Sequence, residues 1–123
     1  MKKLVVVLDT DKKQRDSLCT LLTDNNYQAT PMSMLSELEQ QLEQNDCQAA
    51  IVNLDNMSVT NRNFKALKHK KPAISIIALS ERQFHPELEE SLREYISVCL
   101  AQPVDSEELL FWLKGIFENA EYQ

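Results

Sequence analysis

Apolar residues recur along the chain in short unbroken runs: LVVVL at 4–8, AAIV at 49–52, ISIIAL at 74–79 and ISVCLA at 96–101. A run without polar alternation suits a strand covered on both faces, as a parallel sheet requires. Between the runs the apolar spacing becomes that of a helix. Leu18, Leu21 and Leu22 follow a polar start at 11–16, and Leu35, Leu38 and Leu42 repeat within SMLSELEQQLEQ. Phe64 and Leu67 mark a third helix over about 60–69, and a fourth covers about 86–93 with Pro86 in its first turn, where a missing N–H is tolerated. The last helix opens at Asp105 or Ser106 and sets Glu107 and Glu108 near the positive end of its dipole. It then carries Leu109, Leu110, Leu113, Ile116 and Phe117 at inward spacing. YQATP at 27–31 adds a short strand.

Strand and helix therefore alternate five times, which predicts an α/β fold: a doubly wound five-stranded parallel sheet with helices on both faces. The 123 residues fit a single domain over 1–123. The one glycine, Gly115, leaves no glycine-rich phosphate loop, which argues against the nucleotide-binding versions of this architecture.

Apolar content of 43% and charged content of 26% are those of an ordinary globular chain, and the apolar runs are too short to cross a bilayer. The stretch after MKK is five apolar residues ending in an acid, unlike a signal peptide, so a cytoplasmic setting without membrane contact is expected. A net charge of -6 argues against direct nucleic-acid contact by this domain. The basic KHKK at 68–71 is read as a solvated helix end. Cys19, Cys47 and Cys99 are odd in number and widely spaced, so they are read as small packing residues rather than disulfide or zinc partners. His69 and His85 have no partner at ligand spacing and are expected on the surface.

In a doubly wound sheet the working groups gather where strand C-termini converge at the switch in strand order. Four such ends stand out: Asp9-Thr10-Asp11, Asn53-Leu54-Asp55, Ser80-Glu81 and Gln102-Pro103. In order and spacing they resemble the active site of the receiver domain of two-component response regulators. DTDKKQRDSLCTLL resembles that family's acidic loop and first helix, with Arg15 and Leu18 at the matching offsets. IVNLDNM resembles the strand and loop of the phosphoacceptor, IIALS the fourth strand with its hydroxyl residue, and CLAQPVDSEELL the Lys-Pro turn and last helix. The resemblance covers essentially the whole chain and implies a flavodoxin-like (βα)5 fold.

It also implies a chemistry that these residues lack. In the family, two adjacent carboxylates and the acceptor Asp bind a divalent cation, a Lys pairs with the transferred phosphoryl group, and a hydroxyl residue reorients. Here the first acid is Asp9, the second falls on Thr10, the acceptor on Asn53 and the Lys on Gln102, while Ser80 keeps the hydroxyl. A carboxamide is not a nucleophile as a carboxylate is, so no acyl phosphate forms at Asn53. The aromatic of the fifth strand falls on Cys99, which cannot swing as Tyr or Phe does. Asn53, Thr10 and Gln102 are expected to bond to one another or to water, in a cleft relieved of charge.

The resemblance thus implies a degenerate pseudo-receiver: no enzyme and no catalytic residue, but a phosphorylation-independent regulatory module acting by protein contact. Its partner is either a fused output domain, as in the N-terminal part of a transcriptional regulator, or a separate protein. No cofactor is expected. Weak residual Mg²⁺ binding through Asp9 and Asp11 is the metal alternative, although the plainer role of Asp11 is to cap the first helix. Asp55 is set aside as a substitute acceptor because two extended residues span about 6 to 7 Å. A homodimer is expected through the fourth helix, fifth strand and fifth helix, with Tyr95, Phe111 and Trp112 as interface candidates. Tyr95 is placed at the beginning of the fifth strand, in a packing role. Of Phe111 and Trp112, either one ring faces the sheet and the other the surface, or both finish the core. The alternatives from other classes are an atypical receiver that still binds Mg²⁺ and phosphate, and a sensor holding a small ligand in the cleft.

Overall fold

The computed structural model describes residues 3–44, 47–55 and 57–121. Five parallel strands form one sheet in the order β2-β1-β3-β4-β5: β1 Leu4–Leu8, β2 Gln28–Met32, β3 Ala49–Asn53, β4 Ser75–Ser80 and β5 Val98–Ala101. The helices are α1 Lys12–Asp24, α2 Leu35–Gln44, α3 Asn61–Lys70, α4 Glu89–Glu94 and α5 Ser106–Glu121. This is the flavodoxin-like doubly wound fold that the alternation predicts. Among the described residues no helix is long and apolar enough to cross a membrane.

Because successive side chains of a strand point to opposite faces, each apolar run supplies two layers at once. Val5, Val7, Ile51, Ile77 and Leu79 pack on Leu18 and Leu22 of α1 and Leu109, Leu113 and Phe117 of α5. Val6, Leu8, Val52, Ile76 and Ala78 pack on Leu38 and Leu42 of α2 and Phe64 and Leu67 of α3. Each fully buried Leu, Ile or Phe contributes about 1.5–3 kcal/mol of transfer free energy, and both faces draw on it.

Helix ends are set by polar residues rather than glycine. Asp11 caps α1, its carboxylate accepting from the Lys13 and Gln14 N–H groups. At the far end Asn26 adopts φ 70°, with its N–H on the Thr23 carbonyl and the Tyr27 N–H on Leu22, so an asparagine does the left-handed work usual for glycine. Thr60 and Asn63 form a reciprocal capping box on α3, and Lys68, His69 and Lys70 occupy its last turn, where cations complement the dipole.

β2 lies at one edge of the sheet and contains Pro31. Gln28 donates its N–H to the Lys3 carbonyl and Met32 accepts from the Asp9 N–H, so residues 28, 30 and 32 turn their backbone groups toward β1. Pro31 falls on the alternate, outward side, where its missing N–H breaks no ladder bond.

Several expectations change. α4 is shorter than 86–93 suggested, because Pro86–Leu88 form a 3₁₀ turn before the α-helix proper. Tyr95 is not at the start of β5: it is the C-cap of α4, half-buried, with its hydroxyl 3.3 Å from Glu90 Oε1, and the strand begins at Val98. Neither Phe111 nor Trp112 faces the sheet or finishes the core, since Leu109, Leu113 and Phe117 fill the inner stripe of α5. Phe111 is 70% exposed and Trp112 37%, and their rings meet edge to face at 6.1 Å. His69 is exposed as expected, whereas His85 is buried, its ring nitrogens near the Arg82 carbonyl and Glu87. Cys47 is buried and Cys19 packs on the core, but Cys99 is exposed, because on β5 it points away from α5 at an edge.

Candidate functional site

The strand order reverses between β1 and β3, and the carboxyl ends of these two strands with those of β4 and β5 frame a polar cleft. A cavity of about 560 Å³ opens there, lined in part by Gln14, Asn53, Asp55, Arg82 and Gln102. Asn53 lines it, and beneath or beside it lie two further buried polar side chains, Asp9, hydrogen-bonded to Asn53, and Ser80, next to Asp55. Each follows an apolar run whose burial carries the polar tip into the interior.

Asp9 is fully buried. Its Oδ1 accepts from the Asp11 N–H at 2.8 Å and its Oδ2 from Asn53 Nδ2 at 3.1 Å. The Arg15 guanidinium donates to the Asp9 backbone carbonyl at 2.7 Å, tying α1 to the end of β1. Asn53 Oδ1 accepts twice, from the Asp55 N–H and from Gln102 Nε2, both at 2.9 Å. Gln102 Nε2 also donates to Asp55 Oδ2 at 2.5 Å, and Gln102 Oε1 accepts from Gln14 Nε2. Flipping either the Asn53 or the Gln102 amide would set oxygen against oxygen, so one orientation is strongly preferred.

Gln14, Gln102 and Asn53 therefore form a line of amides, each donating to the next, that ends on the Asp9 carboxylate. Aligned donors of this kind polarise one another and present partial positive charge to the buried anion. Among the described residues every buried side-chain nitrogen and oxygen has a hydrogen-bond partner.

These residues do not fit a divalent-cation centre. A hard cation asks for several oxygen ligands, preferably anionic. Here an amide N–H points at Asp9 from the place where the third strand would supply an oxygen, and the Asp11 carboxylate is turned to the N-terminus of α1. Among the described residues no three acidic, His or Cys side chains gather at a metal-binding distance.

Of the sequence candidates, Asp9, Asn53, Ser80 and Gln102 meet in the cleft. Thr10 is exposed on the rim and takes no part in the amide line, and Asp11 caps α1. Cys99 lies on β5, two residues before its end, exposed. Phe111 and Trp112 lie away from the cleft and line a groove of about 940 Å³ that takes in Ser75 and Ser97 at the amino ends of β4 and β5.

Gln14 escaped sequence reasoning, and Asp55 was singled out at its strand end but set aside on distance. The distance argument against Asp55 assumed an extended chain, but the Asp55 N–H closes an Asx turn on Asn53 Oδ1 and bends it back. Asp55 Oδ1 is 3.5 Å from Ser80 Oγ, and the Glu81 N–H donates to both Asp55 oxygens, at 3.3 and 3.0 Å. The cleft is thus not neutralised: amides bridge the Asp9 and Asp55 carboxylates. An Asn two residues before an Asp was the available signal, since asparagine side chains favour such turns.

No protein-family model matches the sequence, and no curated protein matches it. Solved structures do. The signal receiver domain of an HD domain-containing protein from Pseudomonas fluorescens Pf-5 superposes with a TM-score of 0.86 at 18% identity, over 100% of both chains. A CheY-like response regulator receiver domain protein from Methanospirillum hungatei JF-1 gives 0.88 at 16% identity, again over 100% of both chains. The beryllofluoride-activated NtrC4 receiver domain dimer gives 0.84 at 19% identity, over 95% of this chain and 98% of that one. The chain has the fold of response-regulator receiver domains from end to end.

Proposed function

We propose that this chain is a pseudo-receiver: one domain with the receiver fold that takes no phosphoryl group and regulates through protein contact in two-component-type signalling. The observation that carries the reading is Asn53. Its carboxamide stands at the end of β3 with Nδ2 donating to Asp9 and Oδ1 accepting two N–H groups. An atom so engaged is neither nucleophile nor metal ligand, and Gln102 supplies no cation to pair with a phosphoryl group. The cleft needs no cofactor in this reading, because the amide line meets the buried Asp9 charge that a cation would otherwise balance.

The contact surface is proposed on α4, β5 and α5, with Phe111 and Trp112 as anchors and Tyr95 at its margin. Exposed aromatics of this kind supply much of the binding energy in protein interfaces. The partner is a second copy, a fused output domain such as that of a transcriptional regulator, or a separate cytoplasmic protein. The net charge of -6 directs nucleic-acid contact away from this domain.

An amide NMR titration with Mg²⁺ and then beryllofluoride tests the cleft. No saturable shift at millimolar ligand is expected around Asp9, Asn53, Ser80 and Gln102. Saturable shifts there would overturn the reading in favour of an atypical receiver.

A further inference from the structure

Asp55 is the charged group in the cleft that the reading above leaves without a task. We propose that its carboxylate is an internal latch, an anion supplied by the chain itself that fills the point where donors from two other loops converge. Gln102 Nε2 comes from the loop after β5, and the Glu81 N–H and Ser80 hydroxyl come from the end of β4. Ser80 Oγ accepts from the Arg82 N–H at 3.0 Å, which leaves its own proton for Asp55. The turn on Asn53 fixes the direction from which the carboxylate arrives.

All these donors are neutral, and together they suit a small oxyanion better than any neutral group. One carboxylate therefore ties the loop after β3 to those after β4 and β5. The segment after β4 carries Phe84, 80% exposed, and buried His85, so the latch sets how that loop is presented without any added ligand. This inference rests on Asp55 and its donors, and holds whether or not Asn53 is chemically silent.

The test is Asp55→Ala in the full chain, read by NMR. The Glu81 amide is expected to lose at least tenfold in hydrogen-exchange protection, and the Gln102 side-chain amide to shift. Adding 50 mM acetate should restore both in Asp55→Ala and leave the wild-type protein unmoved. Asp55→Asn, which keeps volume and loses charge, provides a second variant that preserves the packing; it should show partial loss of Glu81 protection and no acetate response. Unchanged Glu81 protection in both variants would overturn the latch. So would an acetate response in the wild type equal to that in Asp55→Ala.

Discussion

The two ends of the sheet treat their interaction capacity in opposite ways. At the carboxyl end, Asp9, Asn53, Asp55, Ser80 and Gln102 direct their donors and acceptors at one another. At the amino end, Phe111 and Trp112 hold aromatic surface out to solvent beside a groove, their rings meeting each other. A polar group bonded within the fold has little left for a ligand, because an incoming molecule must displace bonds worth as much as it offers. Exposed aromatic area keeps its full transfer free energy for whatever covers it. In the proposed reading, the free energy for binding a partner comes from α5 rather than from the cleft.

The largest effect separates the two faces of α5. Phe117→Ala should destabilise the fold by about 3–5 kcal/mol in urea unfolding. Phe111→Ala should stay within about 0.5 kcal/mol of the native chain, while Trp112→Ala, at only 37% exposure, should cost about 1–2 kcal/mol. If light scattering shows a dimer, the paired aromatic variant should be monomeric; a native chain that stays monomeric at high concentration removes the self-association proposal and leaves the cleft argument intact.

Next comes Asn53→Asp, which replaces the Nδ2 donor, 3.1 Å from Asp9, by a second carboxylate. Like-charge crowding should lower stability by about 2 kcal/mol at neutral pH. Because the penalty is repulsion between two ionised carboxylates, it is full at neutral pH and shrinks as pH falls far enough for one carboxyl to take a proton. Millimolar Mg²⁺ should relieve it in thermal melts of the variant and do nothing for the wild type. Equal Mg²⁺ stabilisation of both would break the contrast between the two ends.

Gln102→Leu interrupts the amide line, removing donors from Asn53 Oδ1 and Asp55 Oδ2 together. A loss of about 1–2 kcal/mol is expected, with no change at the α5 groove in chemical-shift maps. The smallest effect is on thiol chemistry. Burial raises the Cys47 thiol pKa and its side chain is inaccessible, so exposed Cys99 should be alkylated first under native conditions. Partial burial, and then the Asp55 charge, also raise the Cys99 pKa. Asp55→Ala should therefore speed Cys99 alkylation modestly at pH 8, because a neighbouring negative charge no longer opposes the thiolate.

Most of the fold was legible because unbroken apolar runs and leucine spacing are local signals. β2 shifts by one residue, and the ends of α4 and β5 move because backbone bonds such as Ile96 N–H to the Ser91 carbonyl carry the helix into what looked like strand. Asp9, Asn53, Ser80 and Gln102 were found because each stands just past a recognisable strand. Asp55 was named but set aside, since its place in the cleft depends on a turn, and Gln14 was missed, since it depends on a helix face directed by its cap. The outward turn of Phe111 and Trp112 escaped for a different reason. α5 offers more apolar residues than its inner stripe can hold, and composition does not say which are left over.

Pro31 has a consequence for how copies of this chain can add to one another. A parallel sheet with two open edges is a template that a further strand can extend indefinitely. On the β2 side one of the outward positions, Pro31, has no N–H to give, so that edge is a poorer template for another strand. Strand addition at that edge is disfavoured, and the proposed contact on the β5 and α5 side, if two-fold, would close after two copies instead of propagating into a filament. Through one imino acid at the far edge, the proposed dimer would end an assembly rather than link one.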